Sequence, residues 1–379
     1  MTHRRVWVKL LGPAVLAVWS SVAAADGPAA PAGGDPRPFR EARSFSPEEI
    51  LARGSAAVRT FEDPVLSFKM AIPTSWVRLD VPADLYQADE RQTLGLYRTP
   101  AGSAPEAEIE VETLLLEREV APADWLRLQV ERSGWRVLRE GELRVSEGAC
   151  PDWLVEAAGP SGAYVFRLSA RKNGRRLFLL SARTTVTGYA SVADDFGIAI
   201  GTWMQLHPGE RRYAERLLEV DVNDPIRARI RHLATWTPYT PEGVGPGAGG
   251  IGFRWSNGKE TGGSIAVKLY AKAGHESERL EDYVRMFSQD MKTLGIALGP
   301  QARAEPALFP RFPRAGVLLV SLGQRGDREV EVAGLILQSN EAWVVLEGIS
   351  PTRAANPEAW MVNKRALEVM AMQLNPRRE

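Results

Sequence analysis

The second half of the chain repeats the first. One half closes on Trp203-Met204-Gln205-Leu206-His207-Pro208 and the other on Ala371-Met372-Gln373-Leu374-Asn375-Pro376. Earlier landmarks keep their order and nearly their spacing. Trp76 precedes Trp125 by 49 residues and Trp236 precedes Tyr283 by 47; Asn173 precedes Leu206 by 33 and Asn340 precedes Leu374 by 34. A long period met twice restricts the fold to two copies of one module in tandem. With 379 residues the chain has room for two domains of ordinary size.

Charge and cysteine content narrow the function classes. The formal net charge is zero, and the first 25 residues hold Arg4, Arg5 and Lys9 with no acid, so the remainder carries about −3. Nucleic-acid binding needs clustered positive charge, which this balance does not supply. Cys150 is the only cysteine, so no intrachain disulfide forms. Residues 1–25 read as a secretory signal peptide: a basic start, an apolar run over 10–22, and Ala23-Ala24-Ala25, with cleavage expected after Ala25. That run is shorter than the roughly 20 residues that span a bilayer as a helix. No membrane span is expected in the mature chain, which should be exported to the periplasm or beyond. The stretch from His3 to Lys9 is loosely similar to a twin-arginine export motif, so both export routes stay open.

Residues 26–45 are rich in Pro, Gly and Ala and read as a disordered tether. Ser46-Pro47-Glu48-Glu49 is a helix start, with a capping Ser, Pro at the first helical position and Glu49 completing a capping box. The first module is expected over 58–208. Its strands are read at 66–73, 107–112, 153–158, 164–171 and 176–185, with a helix opened by Pro122 and a closing helix carrying Val192, Phe196, Ile200 and Trp203. Asn173-Gly174 marks a hairpin. The second module, expected over 212–377, has strands at 251–256, 264–270, 317–322, 330–338 and 342–349. Leu280, Tyr283, Phe287, Met291 and Leu294 form a helical stripe, and Asn356 caps the last helix. Residues 299–313 read as an inserted Pro-rich loop. Consecutive antiparallel strands with helices at fixed points give an α+β sandwich in each module, an antiparallel sheet flanked by helices.

Phe61-Glu62-Asp63-Pro64-Val65-Leu66-Ser67-Phe68, followed by Ile72-Pro73 and Trp76, resembles the opening hairpin of the PsbP-like superfamily. That superfamily includes a photosystem subunit, a Ran-binding import factor and bacterial envelope proteins. The resemblance covers most of 60–208 and, more faintly, 215–376. In the second copy His232-Leu233 replaces Ile72-Pro73. The resemblance implies a binding or assembly-supporting role in the envelope with no catalytic residues, no cofactor and a partner it does not name.

Motifs for chemistry lack their context. Gly247-Ala248-Gly249-Gly250-Ile251-Gly252 spells a dinucleotide fingerprint, but Pro238, Pro241 and Pro246 precede it and a strand-like segment follows, where the motif needs strand before and helix after. His207, His232 and His275 are too scattered to suggest a zinc site. Cys150 reads as an inert thiol. Glu108, Glu110 and Glu112 on one strand face, and Asp194-Asp195 on a helix, read as solvated surface. Residues 171–176, Arg-Lys-Asn-Gly-Arg-Arg, read as a charged hairpin tip. Trp255 is either a core residue or the exposed anchor of a contact loop over 241–258. The second choice makes Gly247, Gly249 and Trp255 candidate partner-binding residues. Two other classes stay open: a hydrolase whose site forms across the module interface, and a small-molecule or lipid carrier.

Overall fold

The computed structural model describes residues 44–81, 91–145, 148–159, 162–241, 248–257, 260–273, 277–309 and 312–376. The signal peptide with Ala25, Gly247, His275 and all but the last two residues of the tether lie outside them. The first set of elements comprises α1 (Pro47–Arg53), β1 (Gly54–Arg59), β2 (Phe68–Pro73), β3 (Val77–Leu79), β4 (Arg91–Arg98), β5 (Ala107–Leu115), α2 (Pro122–Arg132), β6 (Arg136–Arg139), β7 (Glu142–Val145), β8 (Gly148–Gly159), β9 (Gly162–Asn173), β10 (Arg176–Thr185), α3 (Tyr189–Thr202) and β11 (Met204–Gln205). The second comprises β12 (Leu217–Val222), β13 (Ala228–Leu233), β14 (Thr237–Tyr239), β15 (Ala248–Asn257), β16 (Glu260–Ala271), α4 (Leu280–Thr293), β17 (Ile296–Phe309), β18 (Phe312–Arg325), β19 (Arg328–Gln338), β20 (Ala342–Pro351), α5 (Pro357–Gln373) and β21 (Asn375–Pro376).

The two sets share one topology. The large sheets run β3-β4-β5-β10-β9-β8-β6 and β14-β15-β16-β20-β19-β18-β17, and the small ones β1-β2-β11 and β12-β13-β21. The chain is therefore two tandem α+β modules. In each, the closing helix and small sheet cover one face of the large sheet, and the middle helix covers the other. The β1–β2 hairpin has its counterpart in β12–β13, with His232 and Leu233 inside β13. On β5 the alternation of a strand puts Ile109 and Val111 in one core with Phe178, Leu180 and Phe196.

Three surface expectations are corrected. Glu108 and Glu112 are 8% and 6% exposed, so the carboxylate row is not solvated. β5 lies inside the sheet, and cross-strand neighbours on both sides supply cations. Arg91 donates to both oxygens of Glu112 at 2.9 and 2.6 Å, while Arg98 and Arg183 reach Glu108 at 2.9 and 2.7 Å. The basic hairpin tip is an internal junction. Arg171 is buried and donates to the carbonyls of Ile200 and Trp203, at 2.6 and 2.5 Å, satisfying the C-terminal end of α3. Residues 299–309 of the Pro-rich stretch belong to β17 and residues 312–313 to β18. Pro300 and Pro306 are tolerated because β17 is the last strand of its sheet and needs no donors on its outer side.

The modules meet along α2 and α5. Asp124 pairs with Lys364 at 2.8 Å, Arg132 with Glu358, and Glu131 with Arg353. Apolar residues of both modules, among them Leu126, Leu128, Trp236, Met361 and Leu367, form one continuous cluster beneath these pairs. At its edge sits Glu119, fully buried. It pairs with Lys172, accepts from Arg365 Nε at 3.0 Å and accepts from the Ala214 N–H at 2.6 Å. Glu215, on the connecting segment, accepts from the Glu119 N–H at 3.0 Å and from the Thr235 hydroxyl. Burial pulls the Lys172 ammonium below its ordinary pKa, and the attraction of Glu119 offsets part of that pull. Glu119→Gln removes the anion and leaves two cations facing each other in a dry junction. Loss of one partner of a buried pair costs about 3–5 kcal/mol. Urea unfolding of the variant should show a loss of that size; a loss near that of an exposed pair, under about 1 kcal/mol, would contradict the junction.

Candidate functional site

The helix α4 borders a groove in the second module. Tyr283, Phe287 and Met291 recur at helical spacing and are buried against the sheet. Val284, Ser288 and Lys292, each one turn apart, line the flank beside β17. At the start of α4 the Arg279 N–H donates to Asp282 at 2.8 Å. Gly295, at φ 72°, ends the helix in the left-handed conformation that favours glycine and turns the chain directly into β17. Both walls of the resulting groove are thus consecutive in sequence. Ile296, Ala297, Leu298 and Gly299 form the second wall, Leu319 and Ser321 the floor, and the volume is ≈ 500 Å³.

The groove exists because the two modules differ at one sheet position. Trp153 pairs with Leu168 in the first module where Leu319 pairs with Gly334 in the second. Trp153 fills that space and lies under the Arg127 guanidinium, 4.7 Å from its ring centre. Leu319 leaves it open. Gly334 admits the Phe287 ring, since a Cβ there would sit 2.8 Å from it.

The opposite flank of α4 covers an ionic cluster. β16 and β20 pair Tyr270 with Trp343 where β5 and β10 pair Leu114 with Leu177, so Lys268 stands at the place of Glu112 and Glu347 at that of Ser181. Lys268 lies 2.6 Å from Asp290 and 3.0 Å from Glu347. Burial pushes the Glu347 carboxyl up to about 8, against the attraction of Lys268 and with further repulsion from Asp290. Burial presses the Lys268 ammonium down, but Glu347 and Asp290 together hold it above its ordinary value. In the first module burial and the neighbouring Glu112 push Glu110 up to about 7, against a hydrogen bond from Thr93. Lys268 and Glu347 are 4% and 2% exposed in their side chains, and neither lines the groove.

Of the candidate contact residues, Gly247 lies outside the described residues and the other two belong to the core. Trp255 is 5% exposed, with its ring 6.5 Å from that of Trp236. Gly249 is buried in β15, where a Cβ would meet the Asp224 carbonyl at 1.6 Å. The expected contact loop is, from residue 248, a paired strand whose glycines allow close backbone approach. The alternation in Ile251, Phe253 and Trp255 was the signal that this segment buries one face. His232 is buried, its ring 4.7 Å from Phe253. Cys150 is partly exposed. Asp194 and Asp195 pair with Arg53 of α1, at 3.4 and 3.6 Å. Among the described residues no cluster of three His, Cys, Asp or Glu is placed to hold a metal, and no helix is long and apolar enough to cross a membrane. The α4 stripe is legible in sequence; the flank of Val284, Ser288 and Lys292 is not, because its partner wall, residues 296–299, lies between the end of the stripe at Gly295 and the stretch 299–313 read as a loop, and was assigned no strand.

No family model matches the sequence, and no curated protein does. Solved structures resemble it in fold. A crystal structure from Bacteroides thetaiotaomicron VPI-5482 is 15% identical, with a TM-score of 0.28, over 44% of this chain and 54% of that one; the chain thus spans about half of that structure's length. Cyanobacterial PsbP from Synechocystis sp. PCC 6803 is 9% identical, with a TM-score of 0.29, over 40% of this chain and 93% of that one. The immunity protein TplEi of Pseudomonas aeruginosa is 12% identical, with a TM-score of 0.23, over 85% of this chain and 97% of that one. The architecture described above rests on strand order and register, not on these scores.

The Glu347 carboxyl gives a pH signature. Its value of about 8 lies above the ordinary 4.5. Between the two the folded protein keeps a proton that the unfolded chain has released, so this group's contribution falls as pH rises across that window. Glu347→Gln should therefore gain stability relative to the parent between pH 5 and pH 8 in urea titrations. Parallel profiles would show that Glu347 titrates normally.

Proposed function

We propose that this protein is an exported, non-enzymatic binding protein of the bacterial envelope that holds a protein partner in the groove between α4 and β17. Export rests on the basic, apolar and Ala-Ala-Ala order of residues 1–25. The observation that carries the binding role is an inequality among four equivalent helix faces. The outer face of α2 is covered by the second module, and that of α5 by the first. The face of α3 is covered by the N-terminal arm: Phe45 lies 2.8 Å from where a Gly197 Cβ would be, and Arg53 pairs with Asp194 and Asp195. The face of α4 is left uncovered among the described residues and carries the groove. Leu126 on α2 is fully buried, while Val284 one residue past the matching aromatic of α4 is half-buried at the groove wall.

The two alternative classes receive less support. The module interface, where a hydrolase would assemble its site, holds Glu119, Lys172, Arg365, Asp124 and Lys364, each tied to another protein group. The groove has the volume of a ligand pocket, but it runs open along α4 instead of enclosing its contents.

Affinity capture from the native envelope fraction tests the reading. Ser288 is exposed at the groove wall. Ser288→Arg should fill the groove while changing stability by no more than about 0.5 kcal/mol. The parent, recovered as a chain beginning at Asp26, should retain a discrete partner that the variant loses. The same retained proteins from both would refute the groove as the binding surface, and a retained chain beginning at Met1 would refute export.

A further inference from the structure

We infer that β1 is a docking edge for a second copy of this chain: the two β1 strands pair antiparallel about a two-fold axis at Ala57 and join the small sheets of two molecules into one. The surface is separate from the groove and its reading does not depend on it.

The outer side of β1 presents unpaired backbone. β1 ends its sheet, with β2 on one side only. The Arg53 carbonyl accepts from the Thr74 N–H at 3.1 Å, one step before the Gly54–Pro73 pair. Hydrogen-bonded pairs alternate along an antiparallel ladder, so the next ones are Ser55–Ile72, Ala57–Met70 and Arg59–Phe68. The residues of β2 between them turn to its far side, where the Ala71 N–H donates to Thr202 Oγ1 at 2.8 Å. Their neighbours on β1 are Ala56 and Val58. The N–H and C=O groups of these two point outward and meet no partner among the described residues. Both side chains are exposed, that of Val58 at 57%.

The other sheet ends are guarded. β3 and β14 are three residues long, β6 and β7 four, β11 and β21 two. β17 carries Pro300 and Pro306, and its pairing with β18 slips between Leu298 and Gln301, between Gln301 and Arg303, and between Ala307 and Phe309. β12, the counterpart of β1, has the same length of six residues. Gly54 pairs with Pro73 and Leu217 with Leu233, so Glu219 stands at the place of Ala56 and Asp221 at that of Val58. Both carboxylates are exposed; the arginines that hold them, Arg231 and Arg229, lie one strand back on β13. A second β12 laid alongside would set acid against acid. Short strands, prolines, bulges and charges are how sheet edges avoid pairing with another chain. β1 reads Gly-Ser-Ala-Ala-Val-Arg and has none of these before Arg59 at its end.

A strand added to an edge gains affinity from its backbone and is selected through pockets for alternate side chains. Ala56 of β1 and Ala71 beside it on β2 are too small to wall such a pocket. The edge therefore selects a strand that is itself small and uncharged at alternate positions, and β1 is one. With the axis at Ala57, Ala56 faces Val58 of the second copy, and the outward groups of both residues in both copies form four hydrogen bonds. Each Val58 covers the opposite Ala56, and Arg59 faces Ser55 instead of another arginine. An axis at Ala56 sets Val58 against Gly54, whose N–H already donates to the Ile50 carbonyl, and leaves the Val58 carbonyls unmet. The interface is isologous. Confined to one edge, it belongs with the small, reversible contacts below about 1,200 Å².

Sedimentation of the intact mature protein from about 1 μM to about 1 mM tests the edge. The parent should pass from monomer to dimer within that range. Ala56→Glu with Val58→Asp, which gives β1 the acids of β12, should weaken the dimer at least about tenfold. Ala56→Lys with Val58→Lys should do the same, and an equimolar mixture of the two variants should dimerise again, which requires both to be folded and in contact at these positions. A parent that stays monomeric throughout, or a mixture that does, would overturn the inference. So would a dimer that the acidic variant retains, or one that Ser288→Arg dissociates, since the contact would then lie elsewhere, in the second case at the groove. Loss of captured partner in Ser288→Arg with the dimer intact keeps the two surfaces distinct.

Discussion

A carboxylate shut away from water must find cations or N–H groups, or be neutralised, because its desolvation costs several kcal/mol. Glu119 finds them in three parts of the chain: Lys172 on β9, the Ala214 N–H on the connecting segment and Arg365 on α5. Satisfying that one group fixes where the connecting segment passes and which face of α5 meets α2. The ion pairs along α2 are partly exposed and individually worth little. Their value is in direction: they set α5 antiparallel to α2 over a joint apolar cluster. The hairpin tip 171–176 belongs to the same junction, since Asn173 accepts from the Gly209 N–H at 2.7 Å and Arg171 closes α3.

Duplication followed by divergence explains how one topology yields two kinds of surface. At matching sheet positions the first module carries Glu112 and Ser181, and the second Lys268 and Glu347. Each set is internally compensated, by Arg91 in one and Asp290 in the other. Elsewhere a tryptophan in the first module is a leucine in the second, and a groove results. The modules join head to tail, so their outer ends are unlike. The N-terminal arm covers one end, and α4 with its groove is the other. Terminal repeats in stacked modules commonly differ from internal ones for this reason.

The repeat made the architecture legible. Matched spacings gave two modules, and alternation or helical periodicity gave the long strands and helices that bury one face. The capping box at Ser46 and the Asn356 cap stand as read. What failed were inferences from residue type alone. Glu108 and Glu112 looked solvated because nothing in the local sequence shows that Arg98 and Arg183 sit directly across from Glu108. Glycines over 248–252 looked like a loop, yet in β15 they let Asp224 and Tyr239 approach the backbone. Trp255 stayed open between core and anchor because its neighbours are turn formers; its own position in the alternation is inward, and it is a core residue. The groove itself was hidden, since the strand that begins at Ile296 and forms one wall was not recognised before the Pro-rich stretch 299–313, and its floor depends on a long-range pairing of Leu319 with Gly334.

Differential scanning calorimetry of the mature protein tests most directly whether the buried junction joins the modules into one body whose free face is α4. A shared core and a satisfied Glu119 predict a single transition with equal calorimetric and van't Hoff enthalpies. Two resolved transitions, each with the enthalpy of one module, would show that the modules melt independently and that the junction does not couple them.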